Sequence, residues 1–434
     1  MDGGAEQHLA ELLAALAEPR AHPGAPRSVS VLQTHVSALF FADDVVLKLK
    51  KPVDLGFVDQ STLERRHAAC LAEVRLNARI TPSMYLGVRA VRRRADGSLA
   101  VDGAEPGAGD VVDWVVAMKR LPSERMLDAL AARDALTEAD LALLCHTLAE
   151  FHARAAAGPA IARHGAPDHL RAKLLANVDQ LVRAALPHRD VLPLRWFETV
   201  RSGLARFVDE RRDLLASRAA QGRVREGHGD LHAGNVCLVD GAVYVYDCVE
   251  FDLDLRADDV ACDLAFLVMD LDHRGHHDHA QRVVALYAEA AGDPEVAELI
   301  APFAAHRAAI RAKVQLLSAH DPSIDARARG RALDEARRYT ALALGYLVPI
   351  GEVVLLGGAG GAELHREVTR CLRRPPRAAA NARGLSALDR PVVLAPRGVD
   401  PVPGVAAWIA EPERGGALAG LRLIVDAVLD EASA

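Results

Sequence analysis

Aromatic side chains are scarce in this sequence, at 4% of 434 residues, although half of the residues are apolar. Alanine and aliphatic residues must therefore fill the core, which predicts a largely helical chain. Paired cysteines are missing too. Cys70, Cys145, Cys237, Cys248, Cys262 and Cys371 form no CxxC spacing, which argues against a zinc site or disulfide framework and fits buried, reduced thiols. No stretch approaches ~18 uncharged apolar residues, so no membrane span is expected. The N-terminal MDGGAEQHLAELLAALAEPR is acidic and amphipathic, lacking the basic segment and apolar core of a signal peptide. A cytoplasmic location is expected. A basic excess is also absent: the net charge is −7, which disfavours a nucleic-acid binder. At ~150 residues per domain the length allows about three domains.

What is present divides by pattern. Residues 5–18 read as a helix and are followed by a Pro/Gly-rich break. SVSVLQTH, SALFFADD and VVLKLKKP read as three strands, with a hairpin turn at Asp43-Asp44. A helix follows in DQSTLERRHAACLAEVRLNARI. Ser61 and Glu64 make a capping-box pattern there, and Leu63, Cys70, Leu71 and Val74 recur at helical spacing. YLGVRAVRRR and DVVDWVVAMKRL are two further strands around a Gly-rich turn near 96–109. The first ~120 residues thus form a small antiparallel sheet carrying one helix.

From Leu121 helices dominate. One is capped by Thr137 with Glu138 and Asp140 in its first turn. Others are expected near 168–186, 193–216, 277–291, 294–318 and 326–346, and one starts near Asp258. After Ile350, EVVLLGGAGG, AELHREVTRCLRR, PVVLAP, VAAWIAEP and LAGLRLIVDAVLDEA alternate between strand and helix. The expected boundaries are 1–27 (helix and linker), 28–120 (sheet), 121–348 (helical) and 349–434 (α/β tail).

Inside the helical half lies HGDLHAGN, residues 228–235, with Asp247 twelve residues on. Asp240-Gly241 signals a two-residue hairpin turn. Pairing its arms brings Asn235 and Asp247 to one open end, with Asp230 just before it. Magnesium bridging nucleotide phosphates favours such an oxygen-rich environment. His-x-Asp-x-x-x-x-Asn matches the spacing of a kinase catalytic loop, where the Asp takes the acceptor's proton and the Asn and a later Asp hold metal. A metallophosphoesterase turn is the rival. It would require a preceding D-x-H and later GNH and histidine segments, which are missing.

HGDLHAGN followed by a strand and Tyr-Asp resembles the aminoglycoside phosphotransferase and choline kinase group of small-molecule kinases. That resemblance implies a two-lobed, protein-kinase-like α+β fold, with a small antiparallel sheet N-lobe, a mainly helical C-lobe and here a short α/β C-terminal extension. It implies ATP and Mg2+ as cofactors and a small-molecule hydroxyl acceptor as partner. Asp230 matches the catalytic base, Asn235 and Asp247 the magnesium ligands, His228 the structural histidine of the loop, and Asp263 an aspartate that braces it. Gly229 stands where eukaryotic protein kinases carry an arginine, and no glycine follows Asp247, so a small acceptor is favoured over a protein.

The resemblance also implies a nucleotide clamp. Lys48, with Lys50 as the alternative on the same strand face, would neutralise phosphates, and Glu73 would pair with the lysine. The glycine-free turn QTHVS would offer Thr34, His35 and Ser37 to the phosphates. A hinge at Ala117–Arg120, including Met118 and Arg120, would meet adenine. THVSALFF, KLKKPVDLGFVDQSTLERR, EVRLNARI and DLAFLVMDLDHRG further resemble a bacterial subgroup fused to a P-loop kinase-like domain. In the tail, LLGGAGGAELHREV departs from the P-loop pattern: Ala362, Glu363 and Leu364 replace its second glycine, lysine and hydroxyl residue. No nucleotide is expected there, and the tail reads as a degenerate domain kept for packing.

Nine acidic residues against Arg256 alone lie between Asp247 and Asp272. They could attract a cationic acceptor, but metal binding, helix capping and solvation account for such a run more simply. Glu250 and Asp252 are the members placed to touch substrate or metal. HRGHHDH reads as a polar loop entering a helix rather than a zinc site. Two functions fit: an ATP-dependent kinase of a sugar, aminosugar or aminoglycoside-like hydroxyl, or a nucleotide-binding pseudokinase. The intact Asp230, Asn235 and Asp247 weigh against the second.

Overall fold

The computed structural model describes residues 3–56, 58–103, 107–190, 192–322, 324–348, 353–356, 361–373, 376–379, 392–395, 407–410 and 416–432. They divide into two compact units, one of Met1–Ala156 with Glu226–Ala257 and one of Ala157–Arg225 with Asp258–Ala434. All six cysteines are buried and none forms a disulfide.

In the first unit, helix α1 (Gly3–Leu16) precedes strands β1 (Val29–Gln33), β2 (Ser37–Ala42) and β3 (Val45–Lys50). Helix α2 (Leu63–Asn77) and strands β4 (Tyr85–Arg93), β5 (Leu99–Val101) and β6 (Asp110–Lys119) follow, then α3 (Leu127–Ala132) and α4 (Glu138–Arg154). The strands form one six-stranded sheet in the order β1-β2-β3-β6-β4-β5, with each neighbouring pair antiparallel. Asp43, at φ 48°, makes the tight β2–β3 turn that sets Ala42 opposite Val45. β5 lies inside the stretch read as a Gly-rich turn, so the sheet has one strand more than the sequence suggested.

Strand alternation decides what each face of β3 does. Leu47 and Leu49 join Phe40, Val115 and Ala117 in a core closed by Leu9, Leu12 and Leu16 of α1. Val46 points the other way, into a cluster with Cys70, Tyr85, Val116 and Met118 beneath α2. Lys48 and Lys50 share the parity of Val46. Leu47 and Leu49 occupy the α1 face of this strand, so Lys48 and Lys50 fall on the α2 face.

The start of α2 corrects the capping expectation. Thr62, not Ser61, is the N-cap, its hydroxyl accepting from Arg65 N at 3.3 Å. Ser61 instead bonds the Asp59 carboxylate at 2.7 Å. Of the residues at helical spacing, Cys70 is buried and Leu71 is half exposed. Buried Arg66 anchors the helix to β6 through Asp113, with Nη2 2.9 Å from its carboxylate. α4 begins as expected, with Thr137 and Asp140 forming a reciprocal capping box.

The second unit is helical over Pro167–Ala185, Leu194–Glu210, Arg212–Ala220, Val260–His273, His277–Ala291, Val296–Ala319 and Ala326–Leu347. The single helix expected over 193–216 is thus two, breaking at Arg211. Buried Ala304, Ala305, Ala308, Ala309 and Ala312 on one helix, with Ala336, Ala341 and Ala343 on the next, provide the small-residue packing implied by the lack of aromatics. The tail strands Arg377–Ala379, Val353–Leu356, Val392–Ala395 and Ala407–Ala410 form, in that order, a parallel sheet. Helices Gly361–Leu372 and Gly416–Ala432 accompany it. The glycine loop 357–360 lies outside the described residues. Among them, no helix is long and apolar enough to cross a membrane.

Candidate active site

HGDLHAGN and its hairpin belong to the first unit. Strands Val236–Val239 and Ala242–Val245 pair from Val236↔Val245 to Val239↔Ala242. Asp240 and Gly241 turn between them at φ 53° and 71°, the positive values a two-residue turn demands. Beyond the open end, Tyr246 N donates to Asn235 O at 3.1 Å, and the chain then kinks at Asp247, whose φ is 64°.

Three contacts shape the loop before the hairpin. Gly229 has φ 83°, and a Cβ there would lie 2.9 Å from Leu255 O and 3.0 Å from Arg256 Cβ. A longer side chain such as arginine is excluded at this position. His228 is wholly buried. Its Nδ1 accepts from Asp230 N at 3.3 Å, which leaves the neutral ring to donate from Nε2 to Tyr246 O at 3.0 Å. Asn235 Nδ2 donates to Asp230 O at 3.0 Å and reaches Oδ2 of the same residue at 3.4 Å. With its nitrogen held there, the amide presents Oδ1 on its other side.

Lys48 Nζ donates to Glu73 Oε1 at 2.9 Å and to Asp247 Oδ1 at 2.6 Å. Lys50 Nζ donates to Glu73 Oε2 at 2.7 Å and to Glu250 Oε1 at 2.5 Å. Burial opposes charge on Lys48, but Asp247, Glu73 and Glu250 outweigh it and hold its pKa well above the ordinary value. Lys50 is raised in the same way, burial again being overcome by Glu73 and Glu250. The Lys48 ammonium holds Asp247 down to about 2. Burial also opposes ionised Glu73, yet the two lysines bring it below the usual carboxylate range. Two ammonium groups face three carboxylates, leaving one net negative charge. The Asp247 side chain is 46% exposed, so that charge reaches solvent. With Asn235 Oδ1 it offers hard oxygen donors, the chemistry that suits a hydrated magnesium ion.

Three polar residues without a sequence motif, Asn77, Arg79 and Thr81, fasten α2 to this hairpin. Asn77 Oδ1 accepts from Cys248 N at 2.9 Å while its Nδ2 donates to Glu73 O at 2.8 Å. Arg79 donates to Glu226 O and Gly227 O at 2.7 and 2.9 Å. Thr81 Oγ1 donates to Val245 O and accepts from Val245 N, at 2.7 and 2.9 Å. The signal available was a helix end, LNARIT, rich in polar groups. His232 belongs to the loop itself: its Nδ1 accepts from Gly234 N at 3.1 Å, and its Nε2 lies 3.6 Å from Asp230 Oδ2.

The remaining expected positions are placed as follows. Thr34 and His35 are exposed and Ser37 buried; Ser37 N donates to Thr34 Oγ1 at 3.0 Å, so this turn is internally bonded. Met118 is buried within β6. Arg120 N donates to Asp44 O at 2.8 Å, and its guanidinium lies over the Phe41 ring. Glu250 is engaged by Lys50, and Asp252 caps the turn Leu253–Arg256 by accepting from Asp254 N at 2.8 Å. In the second unit Asp263 is buried in the first turn of Val260–His273, 3.8 Å from Arg307. Asp258 pairs with Lys173 at 2.8 Å, Asp259 with Arg218 at 2.8 Å and Asp270 with Arg274 at 3.1 Å. Asp272 accepts from Tyr346 and lies 2.7 Å from His277. The acidic run is thus largely committed to internal partners. His277 also meets Thr369 O at 2.8 Å and His273 meets Glu335 at 2.8 Å.

Comparison with known proteins bears on this arrangement. Proteins of Mycobacterium bovis and Mycobacterium tuberculosis, each described as uncharacterized, are 32% identical over 289 residues, 66% of this chain. The chain spans about half the length of these curated relatives, the match covering 54% of them. A choline/ethanolamine kinase family protein from Mesorhizobium loti superposes with a TM-score of 0.42 at 14% identity, covering 85% of this chain and all of that one. The amicoumacin kinase hAmiN in complex with AMP-PNP, Ca2+ and Ami gives 0.41 at 13% identity, covering 78% and 96%. The model of the phosphotransferase enzyme family APH matches residues 57–300. That match takes in more than half of the chain, from α2 through the whole of HGDLHAGN and its hairpin. With that match over more than half of its length, the chain belongs to the APH phosphotransferase enzyme family.

Proposed function

We propose that this chain is an ATP- and magnesium-dependent kinase that phosphorylates a hydroxyl of a small molecule, a sugar, aminosugar or aminoglycoside-like compound. Kinases of this family use ATP with a divalent cation. The observation that carries the reading is the meeting of five groups in one unit: Asn235 against Asp230, and Lys48 bridging Glu73 and Asp247. Phosphoryl transfer asks mainly for aligned reactants and neutralised charge, and these groups provide both.

Asp230 accepts the acceptor hydroxyl's proton while the hydroxyl oxygen bonds to the γ-phosphorus and the bond from that phosphorus to the β-phosphate oxygen breaks, releasing ADP. Lys48, kept cationic by its carboxylates, neutralises the phosphates, and Glu73 orients it. Asn235 Oδ1 and the Asp247 carboxylate would hold magnesium, which neutralises phosphate charge when bound. The commitment of Glu250, Asp252, Asp258, Asp259 and Asp272 to internal partners weakens the case for an acidic trap and favours recognition of a hydroxylated acceptor over a polyamine.

The test is ADP release by the full chain and by Asp230→Asn with Mg-ATP and a panel of sugars, aminosugars, aminoglycosides and small alcohols. Loss of a general base costs about 10²–10⁴ in rate, so Asp230→Asn should fall by that factor while still binding ATP. Full turnover in the variant removes Asp230 from the role. Bound ATP without turnover on any acceptor would favour the pseudokinase.

A further inference from the structure

β3 delivers a second lysine to the same face as Lys48, and the chemistry above does not use it. Lys50 is 1% exposed, as is Glu73, and Glu250 is 10% exposed. Residues two apart on a strand stand about 7 Å apart on one face, so two ammonium groups side by side repel unless an anion separates them. Glu73 does so, giving one oxygen to each. Lys50 then reaches Glu250, two hundred positions along the chain. The charges alternate in the order Asp247, Lys48, Glu73, Lys50, Glu250.

Asp247 and Glu250 lie three residues apart on one segment, which is therefore tied to β3 at two points. The tie from Lys48 to Asp247 is the one that phosphates and a cation would draw apart, and Lys50–Glu250 is the one left. A buried ion pair gives little net stability over an apolar replacement, so stability alone is a weak reason for this lysine. We propose that Lys50 is a positioning residue. By holding Glu73 and Glu250 together it keeps the Asp247 segment in place for the cation while Lys48 is occupied by phosphate, and it does not itself touch the nucleotide. This rests on the kinase reading above.

The experiment titrates a non-hydrolysable ATP analogue calorimetrically into the full chain, with magnesium and with EDTA. Wild type is compared with Lys50→Met, with Lys50→Met/Glu250→Gln, and with Glu250→Gln, which keeps an acceptor for Lys50; a melting temperature is taken for each. Loss of a residue that orients a metal ligand costs about 10- to 100-fold in metal affinity. Both Lys50 variants should therefore lose about 10- to 100-fold in magnesium-dependent affinity, while metal-free binding, resting on Lys48, stays at the wild-type level. Glu250→Gln should show a smaller loss in the same sense without a large fall in melting temperature. If the folded variants keep the full gain from magnesium, Lys50 has no positioning role and the kinase reading stands. Equal losses with and without magnesium also overturn the inference, since Lys50 would then serve the phosphates directly. A wild-type chain that binds no magnesium nucleotide overturns both.

Discussion

A left-handed backbone costs a residue with a Cβ about 1–2 kcal/mol, and Asp247 adopts one at φ 64°. The kink turns its carboxylate out of the hairpin to Lys48, and the ion pair offsets the strain. Because Lys48 lowers the Asp247 pKa from 3.8 to about 2, the charged form is favoured in the folded state. Its contribution is complete above pH 4 or so and is lost as pH falls from about 3.8 toward about 2. Denaturant midpoints of metal-free protein across that window should drop more steeply for wild type than for Asp247→Asn. Parallel profiles would mean that the pair contributes nothing to folding.

Elements rather than single residues bring the candidate groups together. α2 provides Glu73, but its last turn and the residues after it secure the hairpin, through Asn77, Arg79 and Thr81. Asn77 is wholly buried, and truncating it leaves Cys248 N–H without its acceptor. Stranding a buried donor costs about 1–3 kcal/mol. Asn77→Ala should therefore lose about that much stability and also weaken nucleotide binding, as the Asp247 segment loosens against α2. Unchanged chemical denaturation would show that water replaces the amide without loss. These ties are long-range, and that sets what the sequence could reveal. Period-two alternation placed Lys48 and Lys50 on one face, Asp240-Gly241 marked the hairpin, and Thr137 with Asp140 marked a helix start, because each is local chemistry. β5 escaped notice because pairing with β4 defines it, not composition. Ser61 and Thr62 are both hydroxyls, and only the competing carboxylate of Asp59 decides which one caps α2. Lys50 and Lys48 could not be told apart, since Glu250 comes so late in the chain.

Across the second unit, the C-terminal tail is bonded into the helices rather than appended to them. Glu367 meets Arg338 at 2.9 Å, Thr369 O meets His277 at 2.8 Å, and Asp426 meets Trp196 and Arg195 at 2.8 and 2.7 Å. Gly345, in the helix Ala326–Leu347, shows how close the approach is. A Cβ there would lie 2.6 Å from Cys371 O and 3.3 Å from Leu372 Cα, both backbone atoms that cannot swing aside. The sign of one substitution therefore reports whether the tail is docked. In a free helix, glycine to alanine gains up to about 1 kcal/mol. Against a packed backbone the added methyl overpacks and costs about 1–3 kcal/mol. Gly345→Ala should thus lower the melting temperature of the full chain and raise that of a chain ending at Val348. A stabilised full-length variant would mean that the tail does not pack on this helix in solution, and would remove the argument that it is kept for packing.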